Sequence, residues 1–185
     1  MSIDEKGEIN ELRARLKNLE DREELRALVA RYGRAVDDRD WESLANQYTP
    51  DAIFDSVGER SVGTDAIIEY YKERTSAYVA SYHYPHSHEV TFNDDGTAAG
   101  VVCAHAELTI EGETVFVALR YLDDYRLVEG SWRFHERVAR TLYVLKLSEL
   151  PTGFGDRMRI RWPGVAPQPA QVGADVAGGR TPEPR

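Results

Sequence analysis

Three turn signals, Asn93-Asp94-Asp95-Gly96, Glu111-Gly112-Glu113 and Glu129-Gly130, recur at nearly even intervals in the second half of the chain. Between them lie long segments rich in β-branched and aromatic residues: Ser81–Phe92, Thr97–Ile110, Thr114–Val128 and Trp132–Leu147. Short turns between long strands leave a meander of antiparallel strands as the natural solution.

The segments upstream read as helices. Ile9, Leu12, Leu16 and Leu19 repeat at three-four-three spacing, a stripe that needs something to pack on. The phase breaks near Asp21, a candidate cap for a second helix carrying Leu25, Leu28, Val29, Tyr32 and Val36. Asp40 reads as the cap of a short helix, Trp41 to Gln47, which Thr49-Pro50-Asp51 ends. Ala52–Phe54 and Ser61–Val62 are short strand candidates around Gly58, and Thr64 is the candidate cap of a helix with Ile67, Ile68, Tyr70 and Tyr71 on its apolar face. Three to four helices and a strand meander predict an α+β domain over residues 1–150, its curved antiparallel sheet bent over the helices to enclose a pocket. Beyond Leu150, Arg157, Arg159 and Arg161 alternate with Met158, Ile160 and Trp162, a strand-like pattern fit to cover a sheet edge or a neighbouring subunit. From Pro163, proline, glycine and alanine dominate, which predicts a flexible end to a 151–185 extension.

Composition narrows the function. The 185 residues are 42% hydrophobic and 30% charged, the balance of a globular domain. A formal charge of -9 argues against a nucleic-acid surface. No apolar run approaches the ~20 residues of a membrane span, and Met1-Ser2-Ile3-Asp4-Glu5-Lys6 has no signal-peptide core, so the expectation is a cytoplasmic protein. Cys103, the one cysteine, sits in an apolar stretch and reads as an inert thiol.

Candidate chemistry concentrates in Tyr82-His83-Tyr84-Pro85-His86-Ser87-His88, which holds three of the five histidines. A histidine oriented by a carboxylate is a general base, and a nearby tyrosine can donate a proton. Asp37 and Tyr32 are the upstream partners of choice for His83. On a regular helix these two lie roughly 140° apart, so either the helix end unwinds or the pocket wraps around it. Taken alone, Asp37 within Asp37-Asp38-Arg39-Asp40 reads as a solvated helix end. On a straight strand only His86 and His88 share a face, and no second cluster has ligand-like spacing, so no metal is expected. His86 and His88 read as polar residues at a cavity mouth or edge, and His105 and His135 as structural. Tyr48, Phe54, Tyr70, Val117, Leu119 and Trp132 are candidates for an apolar substrate wall.

Four segments carry a resemblance: Tyr32-Gly-Arg-Ala-Val-Asp37, Asp37-Asp-Arg-Asp-Trp41-Glu-Ser-Leu44, His83-Tyr-Pro-His86 and Gly130-Ser-Trp132-Arg-Phe134. From about Leu16 to Leu147 the chain resembles the SnoaL-like branch of the nuclear transport factor 2 superfamily. Within it, the chain looks most like the bile acid 7α-dehydratase, scytalone dehydratase and hexachlorocyclohexane dehydrochlorinase group. The resemblance implies a cone-shaped α+β barrel, usually a homotrimer, with an elimination site inside the cone and no cofactor. It pairs Asp37 with His83, puts Tyr32 at the active-site tyrosine, and matches a cationic group on the last strand to Arg137 or Arg140, which have opposite parity. Leu108, rather than His105, falls where scytalone dehydratase has its second catalytic histidine. For His83 and Val90 both to face inward, the strand needs a bulge or kink near Pro85.

The resemblance and the residues together lead to the expectation of a cofactor-independent lyase. His83 removes an acidic C–H proton, Asp37 fixes the ring tautomer, and Tyr32 protonates the departing hydroxyl of a hydrophobic, polycyclic, steroid-, terpenoid- or polyketide-like substrate. An isomerase using the same base, a non-catalytic ligand binder and the small subunit of an oxygenase are the alternatives.

Overall fold

A computed structural model of the chain describes residues 3–56 and 58–171. The four strands of the meander are β3 (Tyr78–Phe92), β4 (Ala98–Ile110), β5 (Glu113–Val128) and β6 (Ser131–Lys146), each paired antiparallel with the next. Glu111 and Glu129 turn with φ of 53° and 52°, each followed by a glycine in the same left-handed region, so both two-residue turns take the form that matches strand twist. Two further strands, β1 (Tyr48–Ser56) and β2 (Glu59–Val62), complete a six-stranded sheet of order β2-β1-β6-β5-β4-β3. The sheet is curved and unclosed. It is antiparallel except for β1 on β6, a parallel pairing made possible by the long connection between them.

The helices are α1 (Ile3–Asp37), α2 (Trp41–Ala45), α3 (Thr64–Ser76) and α4 (Leu150–Gly153). The expected break at Asp21 does not occur. Nothing between Ile9 and Tyr32 is Gly or Pro, so the strong helix formers carry one helix through. The Asp21 carboxylate, rather than capping, accepts from Trp132 Nε1 at 2.9 Å and from Lys17. The change of phase instead marks where α1 meets the body of the protein. Leu25, Leu28, Val29, Tyr32 and Val36 are buried, whereas Leu12, Leu16 and Leu19 are 60%, 56% and 64% exposed. The first stripe therefore packs on nothing in the described part of this chain. Asp40 does cap α2, accepting from Ser43 N at 3.0 Å. Thr64 does not cap α3; Gly63 holds that position, and the Thr64 hydroxyl donates to the Thr49 carbonyl at 3.0 Å.

Bulges decide which side chains face the helices. Pro85 pairs with Ala104 and Ser87 with Cys103, leaving His86 as an extra residue. Parity therefore switches between His83 and His88, as two inward-facing ends of β3 require. On β6, Tyr125 pairs with Phe134 but Asp124 with Glu136, so His135 is the extra residue and Arg137 turns inward. Arg140 stays on the outer face, 3.9 Å from Asp55. Strand pairing thus separates the two arginines.

Past α4, the chain returns along β6: Val144 N donates to Arg159 O at 2.9 Å, and Arg161 N donates to Val144 O at 3.0 Å. Residues 163–171 do not leave the surface. Ile160 exchanges two hydrogen bonds with Gln168, and Gln171 N reaches Thr141 O at 2.9 Å. These backbone bonds hold residues 163–171 against the sheet; the rest of the segment expected to be flexible from Pro163, after Gln171, lies outside the described residues. No described helix is long and apolar enough to cross a membrane.

Arg137 is fully buried, and its Nε and Nη2 each donate to Asp123 at 2.7 Å. Burial opposes the charge, but the Asp123 carboxylate outweighs it and holds the guanidinium well above its ordinary pKa. Asp123→Asn leaves that cation without its partner and should cost about 3–5 kcal/mol. Urea denaturation measures the loss, which a shift under about 1 kcal/mol would contradict.

Candidate active site

The end of α1 is shaped by its last turn. Arg39 N bonds to Val36 O at 3.2 Å and Asp40 N to Ala35 O at 2.9 Å, with Arg39 at φ 56°, the Schellman arrangement. Arg39 Nη2 then donates to Tyr78 O at 2.6 Å, tying this helix end to the start of β3. Gly33 lets the two elements approach: a Cβ there would stand 3.3 Å from His83 Cβ. Asp37, one turn further on, faces the same strand. Its Oδ2 accepts from His83 N at 2.8 Å and its Oδ1 bonds His83 Nδ1 at 2.6 Å. A carboxylate on Nδ1 makes that nitrogen the proton-bearing one in the neutral ring, which leaves the Nε2 lone pair as the base. Both side chains are about 15% exposed.

Tyr32 reaches the same place without any unwinding of α1. His83 seats over Gly33, so Tyr32 flanks the imidazole from one side, ring centroids 6.3 Å apart at 73°, while Asp37 holds it from the next turn. The Tyr32 hydroxyl is 2.8 Å from that of Tyr71 and 3.5 Å from that of Tyr121. Burial and the neighbouring Tyr32 push the phenols of Tyr71 and Tyr121 well above their ordinary pKa, so both stay protonated. Arg137 lies beneath, 4.2 Å from the Tyr32 ring centroid and 4.3 Å from that of Tyr121.

His83, Tyr32, Tyr71 and Tyr121 border a cavity of about 80 Å³. Its wall contains His83 and Tyr32 together with Phe54, Tyr70, Val117 and Leu119 from the expected set. Leu108 lines it too, at the position the resemblance matched to a catalytic histidine, and so do Tyr71, Tyr121 and Trp162, which were not anticipated as site residues. Tyr71 shares the apolar face of α3 with Tyr70, and Tyr121 follows Val117 and Leu119 at the strand period, so both were within reach of the pattern. Trp162 was not, because it arrives from beyond the last strand. The remaining expected residues lie elsewhere. Tyr48 is buried in the core against Phe134, and Trp132 is tied to α1 through Glu24 and Asp21. His88 faces inward but bonds Tyr125, Nε2 to hydroxyl 2.9 Å, at a distance along β3 from the cavity wall. Bulged outward, His86 pairs with His105 at 2.6 Å. His135 bonds Thr49 on the outer side. Arg137 supports the tyrosines from below and Arg140 pairs outside. Wider clefts of about 440 and 560 Å³ lie on the surface near Arg31 and Pro50, and neither contains His83 or Tyr32. No group of three or more metal-ligating side chains occurs among the described residues.

The sequence profile of the SnoaL-like domain matches residues 17–138, well over half the chain. The chain belongs to the SnoaL-like family. No relative among curated proteins matches it. Among solved structures, a candidate scytalone dehydratase from Novosphingobium aromaticivorans superposes with TM-score 0.65 at 19% identity, over 69% of this chain and 88% of that one. A hexachlorocyclohexane dehydrochlorinase, LinA type 2, gives TM-score 0.68 at 18% identity, over 81% and 99%. The type 3 enzyme from Novosphingobium barchaimii gives 0.67 at 19%, over 72% and 94%. At these identities the likeness shows the SnoaL-like fold, and what the site does rests on its own geometry.

Burial lowers the pKa of His88 in the folded protein. The neutral ring is thus favoured by folding, and this contribution is present above the unfolded value of about 6.5 and lost as pH falls below it. His88→Gln should flatten the decline in stability between pH 7 and pH 5, read by thermal unfolding across that range; an unchanged slope would refute the assignment.

Proposed function

We propose that this SnoaL-like protein is a cofactor-independent lyase that eliminates water from a hydrophobic small molecule. The observation that carries the reading is the two-point hold of Asp37 on His83 at the wall of a cavity that also presents Tyr32. His83 Nε2 takes a proton from a carbon made acidic by an adjacent electron-withdrawing group, and Asp37 stabilises the imidazolium. The electron pair of that C–H bond forms the double bond as the neighbouring C–O bond breaks. Tyr32 gives its proton to the departing hydroxyl, water leaves, and the imidazolium proton restores Tyr32 through its hydroxyl contact with Tyr71 or directly. Arg137, held against the Tyr32 ring, offsets the negative charge that develops there.

A cavity of about 80 Å³ is small beside the ~300–1,000 Å³ typical of drug-sized ligands. A compact apolar hydroxy compound suits it as it stands. Polycyclic substrates of the kind implied by the resemblance require the segment bearing Trp162 to move aside. An isomerase would use the same base without loss of water, and product mass, lower by one water or unchanged, separates the two.

His83→Ala should lower turnover of an elimination substrate by ~100-fold or more, and Asp37→Asn should do comparable damage in a folded protein. The double variant should be little worse than either, because the pair acts as one unit. Tyr32→Phe should be milder, while His105→Gln and His135→Gln should stay within a fewfold of wild type. Full activity in Asp37→Asn would remove the dyad from the mechanism.

We also propose a homotrimer. Exposed Tyr82, Tyr84 and Leu122 on the outer sheet face offer apolar surface of the kind subunits bury. Light scattering at micromolar concentration should give three times the chain mass, and a monomer would refute the assembly.

A further inference from the structure

The cavity wall holds one feature that proton abstraction does not use. Arg74, in the last turn of α3, and Trp162, in the extension, line it together, and the guanidinium lies over the indole, 4.4 Å from the ring centroid. Arg74 Nη2 and Trp162 Nε1 are both shut off from solvent, and neither has a hydrogen-bond acceptor in the protein. No Asp or Glu lines the cavity, and Arg74 forms no ion pair among the described residues. Its polar neighbour is Tyr78, a neutral phenol whose hydroxyl interacts with the guanidinium, so Nη2 is the Arg74 donor left unmatched. A guanidinium charge and two buried donors therefore face a chamber whose other polar groups, the hydroxyls of serine, threonine and tyrosine and the imidazole of His83, supply no counter-charge. Buried donors are nearly always satisfied, so an unmatched pair at a cavity marks where an acceptor arrives.

Trp162 is held there by backbone bonds rather than by chance. Arg161 N donates to Val144 O at 3.0 Å, and Ile160 beside it is buried. The extension thereby contributes part of the binding surface.

We propose that Arg74 and Trp162 form an anionic anchor and that the substrate of this site carries a carboxylate on an apolar body. The proposal deepens the lyase reading, since it rests on the same cavity being the substrate site. The carboxylate takes a charge-assisted hydrogen bond from Arg74 and a neutral one from the indole N–H, while the apolar wall covers the rest of the molecule.

Calorimetric titration of the full chain with cyclohexanecarboxylate and with its neutral counterpart, cyclohexanecarboxamide, tests this. Wild type should bind the carboxylate about tenfold more tightly than the amide, as expected of a charge-assisted contact. Arg74→Met should remove the preference, Arg74→Lys should retain part of it, and Trp162→Phe, which keeps the ring but not the N–H, should weaken the carboxylate severalfold. Circular dichroism establishes that each variant is folded. Equal affinity for the two probes in wild type, binding of neither, or a preference that persists in Arg74→Met overturns the anchor. So does a preference abolished by His83→Ala and untouched by Arg74→Met, because the imidazole would then hold the anion. The readout is binding, so it stands apart from the dyad. Elimination undiminished in Asp37→Asn with the carboxylate preference intact would sink the dyad and leave the anchor, and the opposite pattern would do the reverse.

Discussion

One carboxylate joins the helical layer to the sheet at the point where chemistry is expected. Asp37 stands in the last turn of α1, where the helix dipole disfavours an anion, and its two bonds from His83, one main-chain and one side-chain, offset that cost. Because one of them comes from the backbone, the position of β3 and the orientation of the imidazole are set together. The Schellman turn at Arg39 and the bare Cα of Gly33 are what allow it: the first stops the helix at the right residue, and the second brings the strand close enough. A dyad built this way is a consequence of how the helix ends.

Beneath the dyad lies a second polar unit whose ion pair is entirely internal. Arg137, Asp123 and Tyr125 are linked by bonds of 2.7 Å, and His88 continues the chain through the Tyr125 hydroxyl. Gly100 makes room for it, since a Cβ there would stand 2.8 Å from both His88 Nε2 and the Tyr125 ring. A buried ion pair is weak evidence of stability by itself. Here it fixes a cation under Tyr32, Tyr121 and Phe134, so the aromatic wall has a charged floor. Structure and electrostatics thereby depend on the same inward turn of Arg137, which the bulge at His135 produces.

The meander was legible because its information is local: turn residues at Glu111-Gly112 and Glu129-Gly130 and alternation along each strand mark the ends to within a few residues. The juxtaposition of Asp37, His83 and Tyr32 was legible through the family resemblance, whereas helical spacing alone set Asp37 and Tyr32 roughly 140° apart; the bulge near Pro85 was legible from the conflict between His83 and Val90. Two kinds of information were not. Parity beyond a bulge depends on the partner strand, which is why β6 alone left Arg137 and Arg140 unresolved. Side chains that arrive from a distant segment leave no periodic trace, and Trp162 is of that kind. Tyr48 and Trp132 went the other way: apolar enough for a pocket wall, they were drawn into core packing and helix contacts instead. The phase slip at Asp21 was read as a break, although it records a change in what the helix faces.

The cavity wall also bears on what can reach the His83 imidazole. Phe54, Leu108, Val117 and Leu119 line the same cavity as His83, and its volume of about 80 Å³ leaves room for few waters. The same wall removes water that would otherwise compete for Nε2 and for the Tyr32 hydroxyl. Apolar packing, which secures the fold, therefore also limits the water that reaches His83 and Tyr32.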